Sequence, residues 1–363
     1  MMLTHVSGPN SSGNKSYTFA SQYTLEVPQR YAVQNIVGKG AYGIVCSAVD
    51  TLSGEKVAIK KISNVFDDLA DGKRILREVK LLGFLNHPNI LSLKDMFRPS
   101  NPNTFVDVYV VTGLMGTDMH KALQCKTLEL TPEHWQYFTY QLLCALHYIH
   151  SAGVLHRDLK PANLLLDSEC TLVLCDFGLA RGWGPHMTDY VVTRWYRPPE
   201  LLLLCDEYNA AADMWGVGCL AAEFITRKPL FPGRDYIHQL NLITDVLGVP
   251  DLDCLPSVKQ GEAVSYVRSL GQKKPQSLRE ILPSETSDDL IDFLEKLLVF
   301  DPAKRMNARQ ALEHPWLVGF VDESAFAESQ ELFTWQYDTE EIEEAQLRKC
   351  FWEEISKFAT LTS

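Results

Sequence analysis

Between His156 and Glu200 the chain carries three runs in order: His156-Arg157-Asp158-Leu159-Lys160-Pro161-Ala162-Asn163, Asp176-Phe177-Gly178, and Thr193-Arg194-Trp195-Tyr196-Arg197-Pro198-Pro199-Glu200. These residue types suit transfer of a phosphoryl group from ATP. Such transfer passes through a loose transition state with charge spread over the moving group, so a catalyst chiefly positions the reactants and neutralises anionic charge. A carboxylate at Asp158 would orient an incoming hydroxyl and accept its proton. Lys160 would sit over the transferring phosphate. Asn163 offers an amide oxygen and Asp176 a carboxylate, hard ligands suited to Mg²⁺, and Gly178 is expected to let the backbone turn. Any one of these short runs alone is an ordinary loop sequence. All three in order, with thirteen residues from Asn163 to Asp176, point to that chemistry.

The elements that must position ATP lie upstream. Gly38-Lys39-Gly40-Ala41-Tyr42-Gly43-Ile44-Val45 lets backbone amides approach phosphates closely. A GxGxxG run also marks dinucleotide-binding folds, where its last glycine opens a helix. Here a β-rich stretch from Ile44 to Val49 follows and ends in a turn at Thr51–Gly54, so the glycines are expected to bend a hairpin. Val57-Ala58-Ile59-Lys60 reads as the next strand, with Lys60 holding the α- and β-phosphates. Glu78, in a helical run from Gly72 to Leu82, would pair with Lys60; taken alone, it reads as a solvated carboxylate on a helix face.

Composition agrees with a large intracellular enzyme. The 363 residues are 46% hydrophobic, enough for two lobes. No apolar run approaches the roughly eighteen residues of a membrane span, so no membrane association is expected. Residues 1–22, rich in Ser, Asn, Gly and Thr, show no secretory signal and are expected to be a disordered tail. Nine cysteines without CxxC pairs suggest reduced thiols in the cytoplasm or nucleus. The formal charge of −12 is concentrated in residues 322–354, where eleven acidic and two basic residues give −9. A basic nucleic-acid footprint is therefore absent. The acidic residues alternate with Phe333, Trp335, Tyr337, Ile342, Leu347, Phe351 and Trp352, which argues for a tail packed on the body with an acidic outer face.

Thr131 and Pro132 read as N-cap and first residue of a helix to about Ser151. Apolar spacing predicts further helices from Asp213 to about Ile225 and from Ser287 to Leu298, and strands from Leu91 to Met96 and Phe105 to Thr112.

From about Arg30 to Phe358 the chain resembles the mitogen-activated protein kinases of the CMGC group. Thr188-Asp189-Tyr190 followed by Val191-Val192-Thr193-Arg194-Trp195 carries the resemblance beyond the general kinase motifs. It implies an α+β, bilobal fold: a β-rich N-lobe over residues 23–112, a hinge at 113–116, a mainly helical C-lobe over 117–320, and an acidic extension over 321–363 packing back on the body. It implies a nucleotide site formed by Ile36, Val37, Gly38, Gly40, Gly43, Val45, Ala58, Lys60, the gatekeeper Thr112 and Met115. It implies proline-directed serine/threonine phosphorylation with ATP and Mg²⁺, the preference arising from Val192 held at positive φ. Activation would follow phosphorylation of Thr188 and Tyr190, with Arg77, Arg157 and Arg181 receiving phosphothreonine and Arg194 and Arg197 phosphotyrosine. Partners implied are an upstream dual-specificity kinase, substrates with basic docking motifs that meet Asp338, Glu340 and Glu341, and phosphatases, with the kinase acting as a monomer. Glu200 would pair with Arg305. The middle lip residue departs from the Glu, Gly or Pro of better-known subfamilies. Rival readings are a cyclin-dependent kinase, against which the lip and the tail stand, and a catalytically dead scaffold, against which Lys60, Glu78, Asp158, Asn163 and Asp176 stand.

Overall fold

The computed structural model describes residues 3–10, 13–20, 22–40, 43–182, 193–203, 209–250, 261–338 and 340–359. The chain divides into two units: Met1–Asn86, Leu91–Met115 and Trp335–Ser363 form the first, and His87–Ile90 with Gly116–Thr334 form the second.

The first unit opens with an antiparallel sheet of β1 (Leu3–Val6), β2 (Asn14–Phe19) and β3 (Tyr23–Pro28). Residues 1–22, expected to be disordered, thus supply two of its strands. The reason is a two-residue alternation hidden among polar neighbours: Tyr17, Phe19, Leu25 and Val27 all face one side and are buried. They share a core with Ile44, Cys46, Ile59 and Val111 of a second sheet. That sheet contains β4 (Tyr31–Gly40), β5 (Gly43–Asp50), β6 (Lys56–Ile62), β7 (Leu93–Met96) and β8 (Val108–Gly113), in the order β4-β5-β6-β8-β7. Gly40 pairs with Gly43, so the glycine motif closes a hairpin as its β-rich flanks require. A Cβ on Gly43 would lie 1.8 Å from the Lys61 carbonyl oxygen, so no other residue fits there. Between β6 and β7 runs α1 (Leu69–Phe84), capped by the Asp68 carboxylate accepting from the N–H groups of Ala70 and Asp71.

The second unit contains β9 (Thr117–Asp118), α2 (Met119–Gln124), α3 (Pro132–Ser151), β10 (Val154–Leu155), β11 (Leu164–Leu166), β12 (Leu172–Leu174), β13 (Arg181–Gly182), α4 (Pro199–Leu202), α5 (Ala210–Thr226), α6 (Tyr236–Leu247), α7 (Glu262–Ser269), α8 (Leu278–Ile281), α9 (Asp288–Leu297) and α10 (Ala308–Leu312). Short pairings β9-β11-β12 and β10-β13 bracket the segment from His156 to Ala180. Helix α5 is buried from Ala212 to Phe224 and is apolar on every side apart from the buried Asp213 and Glu223. Among the described residues no helix is long and apolar enough to cross a membrane.

The C-terminal extension does not behave as one piece. Up to Thr334 it belongs to the second unit, where Ser329 N–H donates to Ser151 Oγ and Phe333 N–H to the Ala152 carbonyl. From Trp335 it belongs to the first unit and ends in α11 (Glu344–Ala359), which packs on α1. Ile75, Leu76 and Val79 of α1 share a core with Ile342, Leu347, Phe351 and Ile355. Around it, Lys73 Nζ donates to the Glu340 carbonyl at 2.7 Å and Lys80 pairs with Glu354.

At Gly72 α1 lies tight against both the Val65 backbone and the tail. An added Cβ would stand 2.4 Å from the Val65 carbonyl oxygen and 2.7 Å from Leu347 Cδ2. Helix propensity alone favours Gly72→Ala by about 1 kcal/mol, but a backbone oxygen cannot move aside, and overpacking typically costs about 1–3 kcal/mol. The expected outcome is a lower urea midpoint for Gly72→Ala; a higher midpoint would show that propensity wins.

Candidate active site

In the first unit, paired residues of adjacent strands share a face. Gly38 pairs with Val45, Val45 with Lys60, and Ala58 with Thr112. One face of the sheet therefore presents Val45, Ala58, Lys60 and Thr112, while Ile44, Cys46 and Ile59 fill the core behind it. Val37 sits at a bulge between Ile36 and Gly38, which breaks the alternation and leaves Val37 exposed. Met115 ends the first unit's share of the linker. Gly116, at the start of the second, spends its N–H on the Leu166 carbonyl at 2.8 Å.

Lys60 Nζ lies 2.9 and 3.0 Å from the two carboxylate oxygens of Glu78. The ammonium is thereby fixed above the open face of the sheet, its position set by α1. The neighbouring Arg77 is buried, with its guanidinium 5.1 Å from the Trp335 ring centre.

In the second unit the catalytic loop is built around a buried acid. The Asp213 carboxylate, in the first turn of α5, accepts from the N–H groups of His156 and Arg157 and from His150 Nε2, each at 2.9 Å. Burial pushes this carboxyl up, but the hydrogen bond from His150, the electrostatic pull of the His150 and His156 rings and the Arg157 amide outweigh it and hold the group below its ordinary value. Anchoring of two successive amides holds Arg157 in the left-handed region at φ +68°. His156 adds a second brace. Its Nδ1 accepts from Asp158 N–H at 3.3 Å and its Nε2 donates to the Cys175 carbonyl at 3.0 Å, which defines the tautomer and ties the loop to Asp176. Its ring packs edge-on to Phe177 at 5.2 Å.

Asp158 is 3% exposed, and both of its oxygens are engaged. Lys160 Nζ bonds Oδ2; the Thr193 hydroxyl donates to Oδ1 at 3.0 Å. Asn163 Nδ2 donates to the Asp158 carbonyl and to Oδ2 at 2.9 and 3.2 Å, leaving its amide oxygen as a ligand. Asp176 is exposed and itself takes the left-handed conformation at φ +65°, whereas Gly178 has no positive φ. The turn expected of Gly178 is thus made two residues earlier, where the Cys175 N–H and carbonyl are pinned by Asn163 and His156. A buried, hydrogen-bonded carboxylate beside a lysine, with an amide and an exposed carboxylate nearby in sequence, fits an arrangement for a substrate hydroxyl, Mg²⁺ and phosphate.

The third motif is anchored separately. Arg305 clamps Glu200 with two bonds at 2.9 and 3.0 Å and lies over Trp215. The Arg194 and Arg197 guanidiniums both lie over the Tyr236 ring, at 5.7 and 5.1 Å, and Arg197 also bonds the Tyr236 hydroxyl. Arg181 pairs with Leu155 in the β10-β13 ladder, two residues from Arg157. Thr188, Tyr190 and Val192 lie outside the described residues, as does the side chain of Asp338. Thr193, His150 and Tyr236 have no role in the sequence reading, and Trp335 has one only as a packing residue of the tail. Only Thr193, within the third motif, carried a local signal.

The protein kinase domain family matches residues 31–317. A mitogen-activated protein kinase of Fusarium vanettenii is 46% identical over 98% of this chain and all of its own length. Mitogen-activated protein kinase 6 of rice is 47% identical over 92% of this chain and 89% of its own length. Mitogen-activated protein kinase 5 of Arabidopsis thaliana is 45% identical over 99% of this chain and 96% of its own. A likeness spanning the whole kinase domain and the tail beyond it places the chain in the mitogen-activated protein kinase family.

Proposed function

We propose that this chain phosphorylates serine or threonine before proline in protein substrates, and that phosphorylation of Thr188 and Tyr190 by an upstream dual-specificity kinase switches it on. The Asp158 constellation carries the reading. In it, Asp158 orients the substrate hydroxyl and takes its proton as the hydroxyl oxygen bonds to the γ-phosphorus and ADP leaves. Lys160 brings positive charge to the moving group, and Lys60, held by Glu78, fixes the α- and β-phosphates. Asn163 and Asp176 supply the oxygens that hold Mg²⁺, which when bound neutralises charge on the ATP phosphates.

Arg77, Arg157 and Arg181 serve as the seat for phosphothreonine, and Arg194 with Arg197 for phosphotyrosine, where Tyr236 now engages both. Each phosphate brings close to two negative charges and strong acceptor oxygens, enough to reorder such a cluster. Glu340 and Glu341 are exposed and, with Asp338, suit Lys/Arg-rich docking segments of activators, substrates and phosphatases through weak, salt-sensitive pairs. The kinase acts as a monomer in cytoplasm and nucleus.

Asp158→Asn is expected to lower turnover by about 10² to 10⁴ while leaving ATP affinity nearly intact, because Asp158 acts on the acceptor hydroxyl. Turnover within a few-fold of the parent, measured on doubly phosphorylated protein, would remove Asp158 from that role. Substrate choice is checked separately with paired Ser-Pro and Ser-Ala peptides. A residue with an N–H after the acceptor would leave that donor unsatisfied, whereas proline has none, so the Ser-Pro peptide should be strongly preferred; equal kcat/KM would contradict the proline rule.

A further inference from the structure

Of the 18 prolines in the chain, only Pro132 follows a serine or threonine. Thr131-Pro132 is therefore the one place where a proline-directed kinase would find its own acceptor sequence. We propose that Thr131 is a self-modification site, phosphorylated in trans by a second copy of this kinase, an inference that rests on the proline selectivity proposed above.

The fold leaves that dipeptide at an exposed helix start, with the acceptor residue already extended. Thr131 sits at the N-cap of α3 with extended backbone, φ −86° and ψ 167°, the conformation that the residue before a proline favours. Residues 124–129 and 131–133 are exposed, and only Leu130 between them is half-buried. The Thr131 hydroxyl meets His134 Nδ1 at 2.9 Å and the Glu133 carboxylate, and both partners lie in the first turn of the helix, so freeing the hydroxyl opens the capping box of that turn. Pro132 donates no hydrogen bond, so that turn can open without losing one from its first position.

The same geometry excludes transfer within one molecule. Helix α3 runs 20 residues from Pro132 to Ser151, about 30 Å at 1.5 Å per residue, and Asp158 follows its far end. Thr131 and its own catalytic carboxylate thus stand about a helix length apart within one unit. In the trans reaction, Thr131 Oγ of the acceptor copy bonds to the γ-phosphorus of ATP held by the other copy. The bond from that phosphorus to the β–γ bridging oxygen breaks, ADP leaves, and the hydroxyl proton passes to Asp158 of the phosphorylating copy. The product anion lies at the positive end of α3, which favours it, although Glu129 and Glu133 on either side oppose it.

The test mixes activated wild-type kinase and Mg²⁺-ATP with Asp158→Asn protein as acceptor, and follows Thr131 of the acceptor by mass spectrometry. Phosphate should accumulate there at a rate proportional to wild-type concentration, and Pro132→Ala in the acceptor should slow it at least tenfold. Alanine is a good helix former at that position, so the acceptor stays folded. A synthetic peptide of residues 124–138 separates the two layers of the argument. An acceptor unmodified at Thr131 while the peptide is phosphorylated would overturn the site and leave the proline selectivity standing. Failure of the peptide and of unrelated Ser-Pro peptides alike would overturn both. Equal rates for the parent and Pro132→Ala acceptors would also overturn the proposal.

Discussion

Helix α1 carries Glu78 on one side and an apolar face on the other, and that apolar face packs both on Ile62, Met96, Val108 and Val110 of the sheet and on the opposite end of the chain. Leu347 and Phe351 of α11 are completely buried against it, and burying a side chain of that size is worth about 1.5–3 kcal/mol. Lys73, Arg77 and Lys80 of α1 each meet the C-terminal segment as well, through the Glu340 carbonyl, the Trp335 ring and the Glu354 carboxylate. The helix that positions Glu78 is thus held in part by residues 267 and 274 positions away along the chain. A helix that needs an outside surface to hold its place is a natural point of control, and here the chain supplies that surface itself.

The second unit solves its positioning problem by a different physical route. Its catalytic loop has little regular structure, so buried hydrogen bonds replace ladder pairing. Asp213 ties two successive amides, His156 ties the loop to Cys175, and Arg157 and Asp176 are held at positive φ as a result. Each such residue costs of order 1–3 kcal/mol of local strain, which persists because the surrounding bonds over-determine it. A carboxylate that keeps its charge while fully buried is well suited to that task. Because its folded-state value is depressed, the stability it contributes is present above the ordinary carboxylate value and is lost as pH falls from there through the lower folded-state value.

Legibility followed sequence distance. Asp158, Lys160 and Asn163 lie within six residues of one another, and the hairpin glycines lie next to the strands they join, so residue type and spacing were enough. The long helix from Pro132 showed its cap and its apolar stripe in one window. Tyr236 under Arg197 and Trp335 over Arg77 could not be read this way, because nothing near either residue in sequence reports its partner. The N-terminal strands were missed for another reason: Tyr17 and Phe19 carry their alternation among Asn, Lys, Ser and Thr, and composition outweighed pattern. The turn at Asp176 was assigned to Gly178 because glycine tolerates positive φ, whereas anchoring of Cys175 from both sides sets where the strain falls.

The dependence of α1 on the C-terminal segment is tested most directly by hydrogen exchange in full-length Leu347→Ala. That substitution removes side-chain bulk from the α1–α11 contact and leaves Lys60, Glu78 and the five-stranded sheet untouched. Faster amide exchange confined to α1 and α11 is expected, with the protection of β4–β6 and β8 unchanged. Protection of α1 equal to that of the parent protein would show that the helix holds its place without the tail, and would contradict the account.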